Sequence, residues 1–146
     1  MQYHSIILRI VIDTNVLVSA LRSRRGASFR LVRDIGLGRF EVALSVPLFL
    51  EYQEVSHRTR EFTNRTIRQL DDILNYLCSV CALHRVYYLW RPFLSDPDDD
   101  MILELAVAAN ASHIVTHNIR DFRGCDRFGV TAITPADFLA LLGGDQ

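Results

Sequence analysis

The acidic residues of this chain of 146 residues gather where apolar segments end and helices begin. Asp13 directly follows the apolar run IVI, Glu51 lies in an amphipathic segment, and the sequence DPDDD fills positions 96–100. An amide, Asn118, follows a further apolar run. Such oxygen donors suit Mg²⁺ or Mn²⁺ rather than zinc. These ions position phosphoryl oxygens and lower the pKa of water, so the matching chemistry is hydrolysis of a phosphodiester bond.

Two of these acidic sites also have a purely structural interpretation. Asp13 could cap the helix that begins near Thr14, and Asn15 could satisfy the local backbone in the same way. The DPDDD segment could cap and start a helix, as TPAD at 134–137 does with a single acid. Four acids in five residues exceed what a cap needs, and a bound cation would relieve their mutual repulsion.

Glu51 is informative because of its phase on a helix. Leu48, Tyr52 and Val55 define an apolar arc. At about 100° per residue, Glu51 lies about 70° from the centre of that arc and Glu54 about 130° away. Glu51 is therefore predicted at the border of the buried face, while Glu54 points to water. An ordinary boundary glutamate is the alternative interpretation.

The elements that must position these residues alternate between strand and helix along the chain. Strands are predicted at 8–13, 41–45, 86–89, 113–116 and 131–133. Helices are predicted at 14–22, 27–35, 47–58, 64–83, 98–109 and 135–142. This alternation indicates a parallel sheet with helices on both faces, in which ligands bind at the carboxyl ends of the strands. Asp13, Ser45, Thr116 and Asn118 are expected at that edge.

Composition narrows the class of protein. The chain contains no lysine, and all sixteen basic residues are arginine. A P-loop and Schiff-base chemistry both need a lysine, so both are excluded. The length fits one domain, no apolar run is long enough to span a membrane, and the three cysteines give no disulfide framework. The beginning of the chain is a poor signal peptide, and we expect a cytoplasmic protein.

Charge is distributed unevenly. Residues 1–91 contain 13 arginines and 8 acids, whereas residues 92–146 contain 3 arginines and 9 acids. Solvated faces are one explanation, and an anionic substrate bound by one part with a metal held by the other is the second. Arg22, Arg24 and Arg25 lie at and just after the end of the first predicted helix, which leads away from Asp13, and a solvated loop is one interpretation of them. They are also candidates for phosphate contacts or for contacts with an acidic partner, because guanidinium binds both through paired hydrogen bonds.

Three stretches of the sequence resemble the PIN domain family, the ribonuclease fold of VapC-type toxins. They are IVIDTNVLVSAL at 10–21, LFLEYQEV at 48–55 and DPDDDMILELAVAANASHIVTHN at 96–118. The resemblance covers about residues 9–142. It implies one PIN-like domain over 1–146, with a three-layer α/β/α fold around a central, mainly parallel sheet of about five strands.

The resemblance also implies roles for individual residues. Asp13 matches the first metal carboxylate, with Asn15 assisting nearby, and Glu51 matches the family glutamate. For the third acid, Asp99 is chosen over its neighbour at position 100. Asp99 stands eleven residues before Asn110, which occupies the position where the family helix ends in glycine. Asparagine can adopt the left-handed conformation that such a glycine supplies.

The fourth family acid usually follows a strand in the pattern Thr-x-Asp, and the sequence departs from it. Here the pattern is Thr116-His117-Asn118, and an amide brings no charge. Asp121, three residues further on, is the candidate replacement as a metal ligand. Thr116, Asn118 and Asp121 would orient water or substrate, and Ser45 is a further candidate for that role.

The implied function is a Mg²⁺- or Mn²⁺-dependent endoribonuclease acting on single-stranded RNA and leaving 5′-phosphate and 3′-hydroxyl ends. The implied setting is the toxin of a type II toxin–antitoxin pair, with a cognate antitoxin as partner and a homodimer as the assembly. The alternative is a non-catalytic PIN-like module that binds RNA or protein through a degenerate metal site. Asn118 favours the alternative, whereas Asp13, Glu51 and Asp99 favour the nuclease. A phosphatase is weaker, because DTNV lacks a second aspartate.

Overall fold

The computed structural model describes residues 7–86 and 93–143. Within these ranges the strands are β1 Arg9–Ile12, β2 Glu41–Leu44, β3 Ala82–Leu83, β4 His113–Val115 and β5 Thr131–Ile133. The helices are α1 Thr14–Arg22, α2 Ala27–Arg33, α3 Val46–Arg58, α4 Arg60–Thr63, α5 Ile67–Val80, α6 Pro97–Ala108 and α7 Pro135–Leu141. Two short 3₁₀ turns, Ile119–Phe122 and Cys125–Phe128, connect β4 to β5.

The five strands form one sheet in the order β3-β2-β1-β4-β5, and all four neighbouring pairs are parallel. β1 lies at the centre, where Ile10 pairs with Val42 on one side and with His113 on the other. Ile10 and Val11 are fully buried, as expected for a strand covered on both faces. The predicted three-layer α/β/α architecture with a parallel five-stranded sheet is confirmed.

Local sequence signals fix the ends of the helices that flank the site. Ser45 caps α3 by accepting a hydrogen bond from the backbone N–H of Leu48 over 3.3 Å. Asp96 caps α6 by accepting from the N–H of Asp98 over 2.9 Å, and Pro97 occupies the first turn. Past the end of α6, Asn110 has a φ of 56°, which is the left-handed conformation predicted for it.

The region between α4 and β3 differs from the prediction. The prediction of a single helix over 64–83 was wrong in its bounds. Asn64 has a left-handed φ of 57°, and Thr66 caps the start of α5 with a capping box. The helix ends at Cys81, whose backbone is extended, and Ala82 and Leu83 then pair with Ala43 and Leu44. Of the strand predicted over 86–89, Val86 is not in a strand, and residues 87–89 lie outside the described residues.

Two broader expectations can be compared with the described part of the chain. None of its helices combines the length and the apolar character that crossing a membrane would require. All three cysteines are among the described residues, and each is a free thiol. Burial raises the pKa of Cys81 to about 12, so this thiol stays protonated and packs as an apolar side chain.

Candidate active site

A cleft of about 820 Å³ lies at the carboxyl edge of the sheet, at the ends of β1 and β4. We call it the acidic cleft, because six carboxylates line it: Asp13, Glu51, Asp96, Asp98, Asp99 and Asp121. Its other polar lining residues are Thr14, Asn15, Ser19, Arg22, Ser23, His117 and Asn118. Residues that are far apart in the sequence therefore converge where a parallel sheet places its ligands.

Asp13 is fixed in the floor of the acidic cleft by the sheet. Its backbone N–H donates to the carbonyl of Val115 over 2.9 Å. The Thr116 hydroxyl donates to Asp13 Oδ2 over 2.8 Å. The carboxylate makes no capping hydrogen bond to α1, so the purely capping interpretation was wrong. Burial raises the pKa of Asp13, and the hydrogen bond from Thr116 offsets part of that increase.

Glu51 reaches the acidic cleft from the neighbouring helix α3. The Thr14 hydroxyl donates to Glu51 Oε2 over 2.5 Å. Glu51 is half-buried and Glu54 is exposed, as the helical phase predicted. Burial is the largest cause of the raised pKa of Glu51, and the negative charges of Asp98 and Asp13 raise it further.

Tyr52, the next residue on α3, fixes the helix to the floor of the site. Its side chain is buried, and its hydroxyl donates to the backbone carbonyl of Ile12, the residue before Asp13. The position of Glu51 is thus tied to the same strand end that carries Asp13. The sequence predicted Tyr52 only as part of an apolar arc, because a periodic pattern does not reveal the partner of a hydroxyl.

The third acid is Asp99, on the first turn of α6. Burial raises its pKa to about 7, and the next largest cause is the negative charge of Asp13. Asp96, Asp121 and Asp98 raise this pKa further. Asp100 is turned away from the acidic cleft, since its Oδ1 accepts from the backbone N–H groups of Phe93 and Leu94 over 3.3 and 2.8 Å. The choice of Asp99 over Asp100 thus agrees with their positions.

The remaining predicted residues divide into two groups. Asn15 and Asn118 line the acidic cleft. Asn15 Oδ1 accepts from the backbone N–H of His117 over 3.3 Å, and the N–H of Asn118 donates to Thr116 Oγ1 over 3.0 Å. Asp121 also lines the cleft and is exposed. Ser45 does not line it, because this buried side chain serves as the cap of α3.

The three arginines predicted to contact phosphate also fall into two groups. Arg22 lines the acidic cleft, and its guanidinium carbon lies 5.5 Å from the centre of the Phe62 ring. Arg24 and Arg25 are exposed and do not line it. Asp98 also lines the cleft, and its negative charge raises the pKa of Glu51. The sequence did not single it out from the other acids of the DPDDD segment.

The chemistry of the acidic cleft fits a hard divalent cation. Its negatively charged donors are all carboxylates, and each of Asp13, Glu51 and Asp99 has a pKa raised by burial and by other carboxylates. Such raised values mean that the ionised carboxylates are unfavourable, and a bound cation would stabilise them. Among the described residues, no three His, Cys, Asp or Glu side chains already surround one point closely enough to hold a metal ion. The fit therefore rests on donor type and charge.

Comparison with known proteins agrees with the fold. A family model described as PIN domain matches residues 9–120. The chain is similar to one in the crystal structure of VapBC2 from Rickettsia felis bound to a DNA fragment from their promoter. The TM-score is 0.59 at 16% sequence identity, over 86% of this chain and 98% of the other. At that identity the likeness shows a shared fold alone. No match was found among curated proteins.

Proposed function

Since the chain belongs to the PIN domain family, we propose that it is a divalent-metal-dependent endoribonuclease for single-stranded RNA and the toxin of a type II toxin–antitoxin pair. PIN domains are generally nucleases that use divalent ions. The observation that carries the proposal is the convergence in one cleft of Asp13 after β1, Glu51 on α3 and Asp99 on α6.

Three carboxylates, Asp13, Glu51 and Asp99, would hold Mg²⁺ or Mn²⁺, with Asp121 as a further ligand. When bound, the ion acts as a Lewis acid that lowers the pKa of water and stabilises charge on the leaving oxygen. The chain itself contributes no lysine, and the histidine in the acidic cleft, His117, has its ring Nε2 within 2.9 Å of Ser28 Oγ. The ion would therefore supply positive charge at the scissile phosphate, together with the guanidinium of Arg22 in the lining of the cleft.

Hydroxyl groups hold two of these carboxylates in place. Thr116 donates to one oxygen of Asp13, and Thr14 donates to one oxygen of Glu51. The hydrogen bond restricts the rotation of each carboxylate. Outer partners of this kind orient the ligands of a metal site. Asn15, Asn118 and Thr116 would orient water or RNA from the carboxyl edge of the sheet.

The proposal that the chain is a toxin also implies protein partners. A cognate antitoxin would inhibit the enzyme, and a homodimer is the expected assembly. Support comes from the fold shared with a chain of the VapBC2 structure. Arg22 also lines the acidic cleft, where its guanidinium could bind a phosphate of the substrate.

The test is cleavage of a single-stranded RNA in Mg²⁺ or Mn²⁺, with a chelator as the comparison. Asp13→Asn keeps the size of the side chain and removes its charge. Asp137→Asn is the matched control, because Asp137 is an exposed acid on the first turn of α7, outside the acidic cleft. We expect metal-dependent cleavage by the wild type and Asp137→Asn but not by Asp13→Asn. Equal cleavage by all three would contradict the proposal.

A second candidate function has one observation in its favour. Asn118 stands where the family usually has an acid, and it lines the acidic cleft without bringing a charge. A non-catalytic PIN-like module that binds RNA or protein would keep the shape of the cleft and lose hydrolysis. RNA binding by wild-type protein with no cleavage in either metal would favour this second function over the first.

A further inference from the structure

A second depression adjoins the acidic cleft and differs from it in charge. It has a volume of about 460 Å³, and we call it the arginine groove. Its lining residues are Phe93, Leu94, Ser95, Asp96, Asp99, Arg120, Asp121 and Arg123. Asp96, Asp99 and Asp121 line both depressions. The two are therefore one continuous surface, with carboxylates at the junction and two guanidinium groups beyond it.

Arg120 and Arg123 are available to a ligand. Both are exposed, and within the described part of the chain neither side chain makes a hydrogen bond or an ion pair. They flank Phe122, which is buried in the core and holds the 3₁₀ turn between them. An arginine held on an anchored turn presents its planar fork of donors with less loss of freedom on binding than one on a loose loop.

The part of the arginine groove that Phe93 and Leu94 line is also held by packing. A Cβ on Gly124 would meet the ring of Phe93 at 3.1 Å, so glycine allows this close contact. The rings of Phe93 and Phe128 meet edge to face at 5.1 Å between centroids. Asp100 fixes the backbone N–H groups of Phe93 and Leu94. Part of the lining of the arginine groove is thus held in place by the buried carboxylate of Asp100.

We propose that Arg120 and Arg123 bind backbone phosphates of the RNA strand next to the phosphate that is cleaved. This inference rests on the proposed function. It assigns a phosphate-binding role to a segment that the sequence placed in the acidic part of the chain. Guanidinium groups suit phosphate because two parallel N–H donors match two phosphate oxygens.

The junction with the acidic cleft favours an RNA strand over an acidic protein segment as the ligand of the arginine groove. Carboxylates at the cleavage site repel phosphate, so guanidinium groups around them would strengthen binding of the substrate. Arg22 supplies a positive charge within the acidic cleft, and Arg120 and Arg123 supply it in the adjoining groove. An RNA strand carries a charge at every nucleotide, so it can meet both sets at once, with one phosphate at the carboxylates between them.

The experiment measures RNA binding separately from cleavage. All proteins carry Asp13→Asn so that the RNA stays intact, and the probe is a short fluorescein-labelled single-stranded RNA in MgCl₂. Binding is measured by anisotropy over a series of salt concentrations. The double variant Arg120→Gln/Arg123→Gln is compared with the parent. The matched control is Arg68→Gln, since Arg68 is an exposed arginine on α5 that lines neither depression.

The proposal predicts a change in the salt dependence of binding. For single strands, the slope of log K against log salt is negative, and its magnitude decreases by about 0.7 for each phosphate that the protein no longer binds. The magnitude of the slope should therefore be about 1.4 smaller in the double variant, which should also bind RNA about tenfold more weakly. Arg68→Gln should keep the parental slope. In the chain with Asp13 intact, the same two substitutions should raise KM and leave kcat nearly unchanged.

Each outcome separates this inference from the proposed function. An unchanged slope in the double variant, with RNA cleavage intact in the wild type, overturns the inference alone. Loss of a protein partner by the double variant with unchanged RNA binding also overturns it and assigns the groove to that partner. If the wild type never cleaves RNA but the slope falls as predicted, the arginine groove stands and the nuclease proposal fails.

Discussion

Thr116 donates its hydroxyl hydrogen to Oδ2 of Asp13 over 2.8 Å, and this bond joins the ends of two adjacent parallel strands. The register of the sheet explains the pairing, because Ile12 lies opposite Val115 and the next residue of each strand is one of these two. Both side chains are buried. The carboxylate of Asp13 is therefore held from the neighbouring strand.

Removing this hydrogen bond should impair catalysis without unfolding the chain. We expect Thr116→Val to lower the rate of RNA cleavage about 10- to 100-fold and to raise the Mg²⁺ concentration needed for half-maximal rate. Thr116→Ser keeps the hydroxyl and should recover most of the activity. Thr131→Val is the control, because Thr131 is exposed on β5. Cleavage titrated with Mg²⁺ is the measurement, and equal metal requirements for the valine and serine variants would count against this role.

Divalent ions should stabilise the folded chain. Binding to the native state alone adds about 2.7 kcal/mol to the free energy of unfolding when free Mg²⁺ is about 100 times its Kd. Because burial raises the pKa of Asp13, its ionised form is unfavourable without a cation. Asp13→Asn should thus keep or raise the unfolding temperature in chelator and lose most of the gain in Mg²⁺. Thermal unfolding measures both effects.

The matched control for that measurement is Asp137→Asn, which removes a carboxylate from the start of α7. It should gain as much stability from Mg²⁺ as the wild type does. An equal metal-induced gain in Asp13→Asn would show that the ion binds elsewhere on the chain.

Stability in chelator should depend on pH through Asp99. Its pKa rises from an ordinary 3.8 to about 7 in the folded chain, so the folded state binds this proton more tightly than the unfolded state does. The contribution is fully present below pH 3.8 and is lost as pH rises through about 7. The raised values of Asp13 and Glu51 act in the same direction.

Denaturant unfolding between about pH 5 and pH 8 tests this sign, because unfolding stability falls with pH wherever the native state binds more protons. Asp99→Asn should flatten the decline, whereas Asp126→Asn, on an exposed turn outside the acidic cleft, should leave it in place. Saturating Mg²⁺ should also flatten the decline, since it favours the ionised carboxylates. A decline that persists unchanged in Asp99→Asn would assign it to other groups.

Most of the fold could be predicted because the spacing of apolar residues distinguishes helix from strand over long segments of the sequence. The segment LCSVCAL at 77–83 has no clear period, and an apolar helix end there runs directly into a strand. Ser45 was misplaced for a different reason. A polar residue after a strand serves equally well as a helix cap or as a ligand, and only the structure shows that it accepts from Leu48.

The arginines show a second limit of sequence reasoning. Arg22, Arg24 and Arg25 were predicted to contact phosphate because they follow the helix that starts next to Asp13, and only the first of them lines the acidic cleft. Arg120 and Arg123 fall in the stretch with excess acid, so the charge count hid them. The turn after β4 brings them beside Asp99 and Asp96 in space, and no local pattern in the sequence reports that proximity.

The last prediction concerns the departure at position 118. Asn118 lines the acidic cleft, and Asp121 lines it three residues further on. If Asp121 has taken over the charge of the usual fourth acid, Asp121→Asn should lower cleavage about tenfold or more and raise the Mg²⁺ requirement. Asn118→Ala should have a smaller effect, because it removes no charge. Asp126→Asn on the next turn is the control for loss of an exposed carboxylate.

Asn118→Asp adds a carboxylate to the acidic cleft, whereas Asp121→Asn removes one. A further carboxylate in the acidic cleft should lower the Mg²⁺ concentration needed for half-maximal cleavage. It should also lower the unfolding temperature in chelator, since like charges repel when no cation is bound. Cleavage titrations and thermal unfolding of the same samples measure the two effects together. A variant that becomes less stable in chelator but gains nothing in metal affinity would place residue 118 outside the reach of the ion.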